Sequence, residues 1–78
     1  MNWIKKELIQ LIKARGAIAQ EITDYNFRSY FVRRANEDVE ALEKDDKTEV
    51  TAEMVAEAQK SVKQMERIKV VQNSIYIV

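Results

Sequence analysis

The chain has 78 residues, with 13 basic and 13 acidic side chains, one glycine, and no cysteine, histidine or proline. Disulfides, thiol or imidazole catalysis, Cys/His metal clusters and phosphate-binding loops are therefore excluded. The absence of cysteine and histidine favours a non-enzymatic protein. A single domain over residues 1–78 gains only about 3–5 kcal/mol from its own core, which favours a protein completed by partner chains.

The first predicted helix runs from about Asn2 to Gln20, with Asn2 as its N-cap. Its apolar residues recur at the spacing of one helix face, and they are Ile4, Leu8, Leu11, Ala14, Ile18 and Ile22. The basic, amphipathic start is also typical of a mitochondrial presequence. Its continuity with the apolar face favours a bundle helix, and an uncleaved helix serving both purposes stays an alternative.

The second predicted helix begins at Thr23 or Asp24 and ends near Lys44. Its apolar face is Phe27, Phe31, Ala35, Val39 and Leu42, and both phenylalanines are predicted to be core residues.

A polar connection over residues 45–50 leads to a third helix that starts near Thr51. Its apolar period continues to Val71 or Gln72, and the last six residues, NSIYIV, lose the helical pattern. Two short connections between long helices predict an all-α, antiparallel, up-down-up three-helix bundle. No apolar run approaches the length of a membrane span, so membrane insertion is not expected.

Charge is unevenly distributed along the chain. Residues 1–34 carry a net charge of +4, residues 35–57 carry −7, and residues 58–78 carry +3. The basic first part favours an acidic partner. An acidic run is interpreted as a solvated face and loop, and it comprises Glu37, Asp38, Glu40, Glu43, Asp45 and Asp46.

Small residues cluster in the first helix at Ala14, Gly16, Ala17 and Ala19. Close packing against a neighbouring helix is the simpler interpretation. A groove left open for an inserted apolar chain is the alternative.

Residues 24–34, DYNFRSYFVRR, hold four of the six aromatic residues and three of the five arginines. Aromatics interleaved with arginine are typical of single-stranded nucleic-acid binders. Zero net charge and the acidic run that follows argue against that function, so no nucleic-acid partner is expected.

The order of these residues resembles a family signature, Y-N-[YF]-R-x-Y-x-x-R-R, found in the small LYR-motif subunits of mitochondrial cysteine desulfurase. Fourteen residues before Tyr25, at the family spacing, lie Leu11, Ile12 and Lys13 in place of Leu-Tyr-Arg. Ile75-Tyr76 also falls where the family has an apolar residue followed by tyrosine. The resemblance covers almost the whole chain.

The resemblance implies a LYR-like adaptor that binds cysteine desulfurase for iron–sulfur cluster assembly, in the mitochondrial matrix or a mitochondrion-derived organelle. It also implies an acidic acyl carrier protein as a partner, and therefore a hetero-oligomer. The partner-binding residues it implies are Lys5, Leu11, Ile12, Lys13, Tyr25, Arg28, Tyr30, Arg33 and Arg34. Another LYR-type respiratory-complex assembly factor and a helical nucleic-acid binder are the alternatives.

No cofactor of its own is expected beyond the acyl-phosphopantetheine group of the bound carrier, whose acyl chain would lie between the helices. The residues expected to line that channel are Ala14, Gly16, Ala17, Phe27, Phe31 and Val39. Lys13 replaces a bidentate arginine with a point charge, and Val39 replaces an expected phenylalanine.

Overall fold

The computed structural model describes residues 3–45, 47 and 49–75. They form three helices, α1 (Trp3–Ala19), α2 (Tyr25–Lys44) and α3 (Ala52–Ile75). The predicted all-α three-helix fold is confirmed. The predicted N-cap, Asn2, lies outside the described residues, as does Tyr76.

Local hydrogen bonds define where α2 and α3 begin. The Asp24 carboxylate accepts a hydrogen bond from the Phe27 amide at 3.1 Å, which satisfies an otherwise unpaired donor of the first turn of α2. The Thr51 hydroxyl accepts from the Met54 amide at 3.3 Å in the same way at the start of α3. Both helices are therefore capped at residues where the sequence predicts them to start.

Side chains of α2 and α3 hold the connection between α1 and α2. Asn73 of α3 accepts from the Thr23 amide at 2.8 Å and donates to the Glu21 carbonyl at 3.0 Å. Arg28 of α2 donates to the Ile22 carbonyl at 3.0 Å. Asn73 makes these bonds from within α3, which continues to Ile75. The prediction that the helical pattern ends before Asn73 is wrong, since tertiary contacts outweigh local propensity.

Helix α1 lies between the other two helices. It packs closely against both α2 and α3, whereas the Cα atoms of the two outer helices, each described throughout its length, stay more than 8 Å apart. The buried hydrophobic residues form two clusters. One cluster is Leu8, Ile12, Ala35, Val39, Val50 and Ala58, and the other is Ala19, Ile22 and Met65. An open groove between α2 and α3, with α1 as its floor, follows from this arrangement.

Three side chains differ from their predicted environments. Ala14 is exposed because the buried face of α1 is centred on Ile12, roughly 200° away around a helix of 3.6 residues per turn. Phe27 is 45% exposed and not a core residue, because α3 does not cover that side of α2. Val50, in the connection predicted to be polar, is only 5% exposed and belongs to the larger core cluster.

Candidate binding groove

The wider part of the groove lies at the end where α2 finishes and α3 begins. It is a cavity of about 690 Å³, within the range typical of small-molecule sites. Its lining residues come from all three helices and the turn before α3, and they are Leu8, Ile12, Asp38, Ala41, Leu42, Thr51, Glu53, Met54, Ala56 and Glu57. The floor and lower walls are apolar, while the two glutamates lie on α3.

A second cavity of about 200 Å³ lies further along the same groove. Its lining residues are Arg15, Tyr30, Phe31, Arg34, Ser61, Gln64, Met65 and Ile68. The Tyr30 and Phe31 rings meet edge to face with centroids 5.2 Å apart, and Phe27 stacks on Phe31 at 6.4 Å. The smaller cavity therefore has an aromatic wall with Arg34 on α2, and a wall of both apolar and polar residues on α3.

A single ion pair joins residues of the two cavities. Arg15 lines the smaller cavity, Asp38 lines the larger one, and the Arg15 guanidinium donates to the Asp38 carboxylate at 2.7 Å. Asp38 is thus turned towards α1 while its side chain stays 41% exposed, so the predicted solvated face includes one carboxylate that is paired with the neighbouring helix. An arginine on α1 is the reason, since it provides a partner for the carboxylate.

The predicted partner-binding residues of α1 lie on different faces of the helix. Ile12 is buried and lines the larger cavity, whereas Leu11 is half-buried on the side that packs beside the larger core cluster. Lys13 is exposed. Lys5 is half-buried, and its ammonium group donates to the Asp45 carbonyl at the end of α2.

The predicted partner-binding residues of α2 include Arg28, which has a structural role. Arg28 binds the carbonyls of the α1–α2 connection and lies over the Tyr25 ring at 5.6 Å. Tyr25 itself is 69% exposed. Arg33 is exposed and lies 3.9 Å from Glu37, one turn further along.

Tyr30 and Arg34 are both exposed and line the smaller cavity. They lie at the rim of the groove beside Phe31.

The residues predicted to line an acyl channel are not all brought together, although Phe27 stacks on Phe31. Phe31 lines the smaller cavity, while Ala14 and Ala17 are on the exposed face of α1. Gly16 and Val39 are buried, but neither lines one of the two cavities. The cluster of small residues in α1 is thus split between the protein surface and a helix contact.

The groove residues that sequence reasoning missed were in the predicted apolar faces. Periodicity predicts that Leu8 and Leu42 lie in helix–helix contacts, and nothing local shows that α2 and α3 stand apart. Met54 likewise belongs to the apolar period of the third helix. Arg15 had one available signal, because it follows Leu8 and Ile12 at helical spacing and so shares their face.

Within the described parts of the chain, no three carboxylates come together as a metal site, and no buried side-chain polar atom is without a hydrogen-bond partner. None of the described helices has a stretch long and apolar enough to cross a bilayer. The groove is thus an apolar binding surface with a few charged groups.

Comparison with known proteins gives one match. The model of the ISD11 family matches residues 1–78 of the chain. No curated protein and no solved structure matches it.

Proposed function

The chain belongs to the ISD11 family, the LYR-motif small subunits of the cysteine desulfurase complex, and from this premise we propose that it bridges a desulfurase to an acyl carrier protein. The family is mitochondrial and non-catalytic, and it serves iron–sulfur cluster assembly. This membership favours desulfurase support over a respiratory-complex assembly factor. We place the protein in the mitochondrial matrix or a mitochondrion-derived organelle.

The open groove between α2 and α3 is the observation that carries the carrier-binding proposal. Helices α2 and α3 each pack on α1 while their own Cα atoms stay more than 8 Å apart, which leaves a largely apolar groove that water or a guest must fill. An acyl chain suits it because a flexible methylene chain can follow an elongated apolar surface and be removed from water. The phosphopantetheine group would remain at the rim.

Surface charge supports the same partner. Lys13 on α1 and Arg33 and Arg34 on α2 are exposed, and each places a cation on the basic first part of the chain. Acyl carrier proteins of this system are acidic, so attraction of opposite charge would speed the encounter and fix its orientation.

Exposed apolar side chains support a second protein partner. Tyr25, Phe27 and Tyr30 on α2 are between 45% and 69% exposed, and Val70 and Val71 on α3 are each 59% exposed. Aromatic and aliphatic surface of this kind is enriched at the centre of protein interfaces. We propose that the desulfurase covers this exposed apolar surface in the complex.

Co-expression with the host's desulfurase and acyl carrier tests the assignment. Purification through a tag on this chain should recover both proteins, and mass spectrometry of the carrier should show an acylated phosphopantetheine group. A chain that is folded by circular dichroism but recovers no desulfurase would refute the proposal.

The groove is tested separately by filling it. Ala41 lines the larger cavity from an exposed position, so Ala41→Phe should place a ring in the groove without disturbing the core. We expect recovery of the acylated carrier to fall at least tenfold. Ala17→Phe is the matched control, since Ala17 is exposed on α1 and lines neither cavity. Loss with Ala17→Phe alone would favour the channel of small residues instead.

A further inference from the structure

The two cavities of the groove are lined by both apolar and polar side chains, and one ion pair lies between them. Arg15 and Asp38 form their ion pair where the two cavities meet, with the Arg15 side chain 19% exposed and the Asp38 side chain 41% exposed. The pair connects the floor helix α1 to the wall helix α2. It therefore places two charged groups between the two cavities, on the floor and one wall of the groove, and we call this pair the bar.

The position of the bar along α1 follows from helix geometry. Leu8 and Ile12 form the floor of the larger cavity, and Arg15 is the next residue on that face. At 1.5 Å of rise per residue, Arg15 lies about 10 Å along the helix from Leu8. The larger cavity thus ends about three turns into α1.

We propose that the Arg15–Asp38 ion pair limits the length of the acyl chain that the groove accepts, an inference that rests on the proposed carrier-binding function. A chain confined to the larger cavity leaves the pair in contact with water. A longer chain must pass over the pair, and it then removes both charged groups from solvent without offering them a hydrogen bond. The additional methylenes would gain little beyond that point.

The geometry gives an approximate length. An extended alkyl chain advances roughly 1.3 Å per methylene for carbon–carbon bonds of about 1.5 Å. About 10 Å of floor therefore accommodates about eight methylenes. The protein is accordingly selective for medium chains, such as octanoyl or decanoyl groups, over palmitoyl groups.

A competition experiment on the desulfurase complex tests this selectivity. Carriers charged with octanoyl and with palmitoyl groups are mixed in equal amounts, and the carrier retained by the complex is identified by mass spectrometry. The unsubstituted protein should retain the octanoyl carrier in at least tenfold excess. The double variant Arg15→Met with Asp38→Ala, which replaces the charged bar with apolar atoms, should lower this excess at least tenfold.

A matched ion pair elsewhere provides the control. Lys69 and Glu21 join α3 to the α1–α2 connection, at 2.8 Å, and neither residue lines either of the two described cavities. Lys69→Met with Glu21→Gln should keep the octanoyl excess unchanged. The charge exchange Arg15→Asp with Asp38→Arg, which retains a pair at the bar, should keep most of it.

The failures can be distinguished. Equal retention of both carriers by the unsubstituted protein, or an unchanged excess in the apolar double variant, overturns the length limit and leaves carrier binding intact. Retention of no acylated carrier overturns both proposals. If the apolar double variant does not fold by circular dichroism, Arg15→Gln with Asp38→Asn removes both charges at similar side-chain size and should still reduce the excess severalfold, and an unchanged excess there overturns the inference.

Discussion

A Cβ atom at position 16 would lie only 3.0 Å from the Cβ of Ala35, so α1 and α2 approach one another closely at Gly16. Gly16 is buried and Ala35 is 1% exposed. Two helices can come this close only where one of them has no side chain. The cost of glycine within α1, up to about 1 kcal/mol relative to alanine, is the condition of that contact.

We expect Gly16→Ala to destabilise the protein in spite of its better helix propensity. The added methyl group meets a Cβ atom that cannot move without moving α2, and overpacking of this kind costs about 1–3 kcal/mol. The net loss should be about 1 kcal/mol in the free energy of unfolding, measured by urea denaturation.

A double-mutant cycle separates the two effects. In an Ala35→Gly background the space opposite residue 16 is open, so Gly16→Ala should there stabilise the protein. The same sign of effect in both backgrounds would contradict the proposed steric contact.

Arg28 and Arg33 should differ in their effect on stability. Arg28 donates to the carbonyls of Ile22 and Thr23, so Arg28→Ala should cost about 1–2 kcal/mol by leaving these acceptors without their charged donor. Arg33 makes one long, exposed ion pair with Glu37, so Arg33→Ala should change the free energy of unfolding by less than about 0.5 kcal/mol. Equal losses in urea denaturation would show that Arg28 is not structural in this sense.

The Lys69–Glu21 pair gives a pH dependence at the alkaline end. A hydrogen bond from Lys69 to Glu21, with added attraction from the charges of Glu21 and Glu66, raises the pKa of Lys69 above its ordinary value of about 10.5. Stabilisation from a raised pKa is complete below that ordinary value and is lost as the pH rises through the raised pKa. Thermal unfolding midpoints of the unsubstituted protein should exceed those of Lys69→Met at neutral pH, and the two should converge above pH 10.5.

Convergence is the informative result, because any general loss of stability at alkaline pH affects both proteins alike. Glu21→Gln should behave like Lys69→Met. A difference between the unsubstituted and Lys69→Met proteins that stays constant up to strongly alkaline pH would contradict the assignment.

Lys13→Glu should weaken binding of the acyl carrier severalfold without affecting the fold. Lys13 is exposed on α1, so a reversed charge there repels an acidic partner while leaving the core contacts intact. Binding measured at low and high salt should show the difference shrinking as salt rises. A lost helical circular dichroism signal would instead make Lys13 a structural residue.

Local chemistry explains why much of the fold is predictable from the sequence. Asp24 and Thr51 are caps because their side chains satisfy amides only three residues away, and Lys44 ends α2 just where the apolar period stops. Helix periodicity also identifies Leu8, Ala35 and Val39 as residues of inward faces. Each of these features depends on neighbours within a few positions.

The groove itself depends on a relationship between distant segments. Periodicity shows that Phe27 and Phe31 share a face, but it does not show that no helix covers Phe27. The Arg15–Asp38 pair joins residues 23 positions apart, and the Asn73 contacts join residues 50 or more apart. These contacts depend on which distant segments the fold brings together, and the sequence of neither segment reveals its partner.

The separation of α2 from α3 also has a consequence for how long the protein lasts in its organelle. Because the Cα atoms of α2 and α3 stay more than 8 Å apart, opening either helical hairpin breaks few contacts to the third helix, and such openings are where proteases cut. A guest in the groove would join α2 to α3 and oppose both openings, stabilising the folded state in proportion to the logarithm of its concentration over its dissociation constant. Scarcity of acylated carrier would then shorten the lifetime of the subunit, so that its abundance follows the supply of fatty acid.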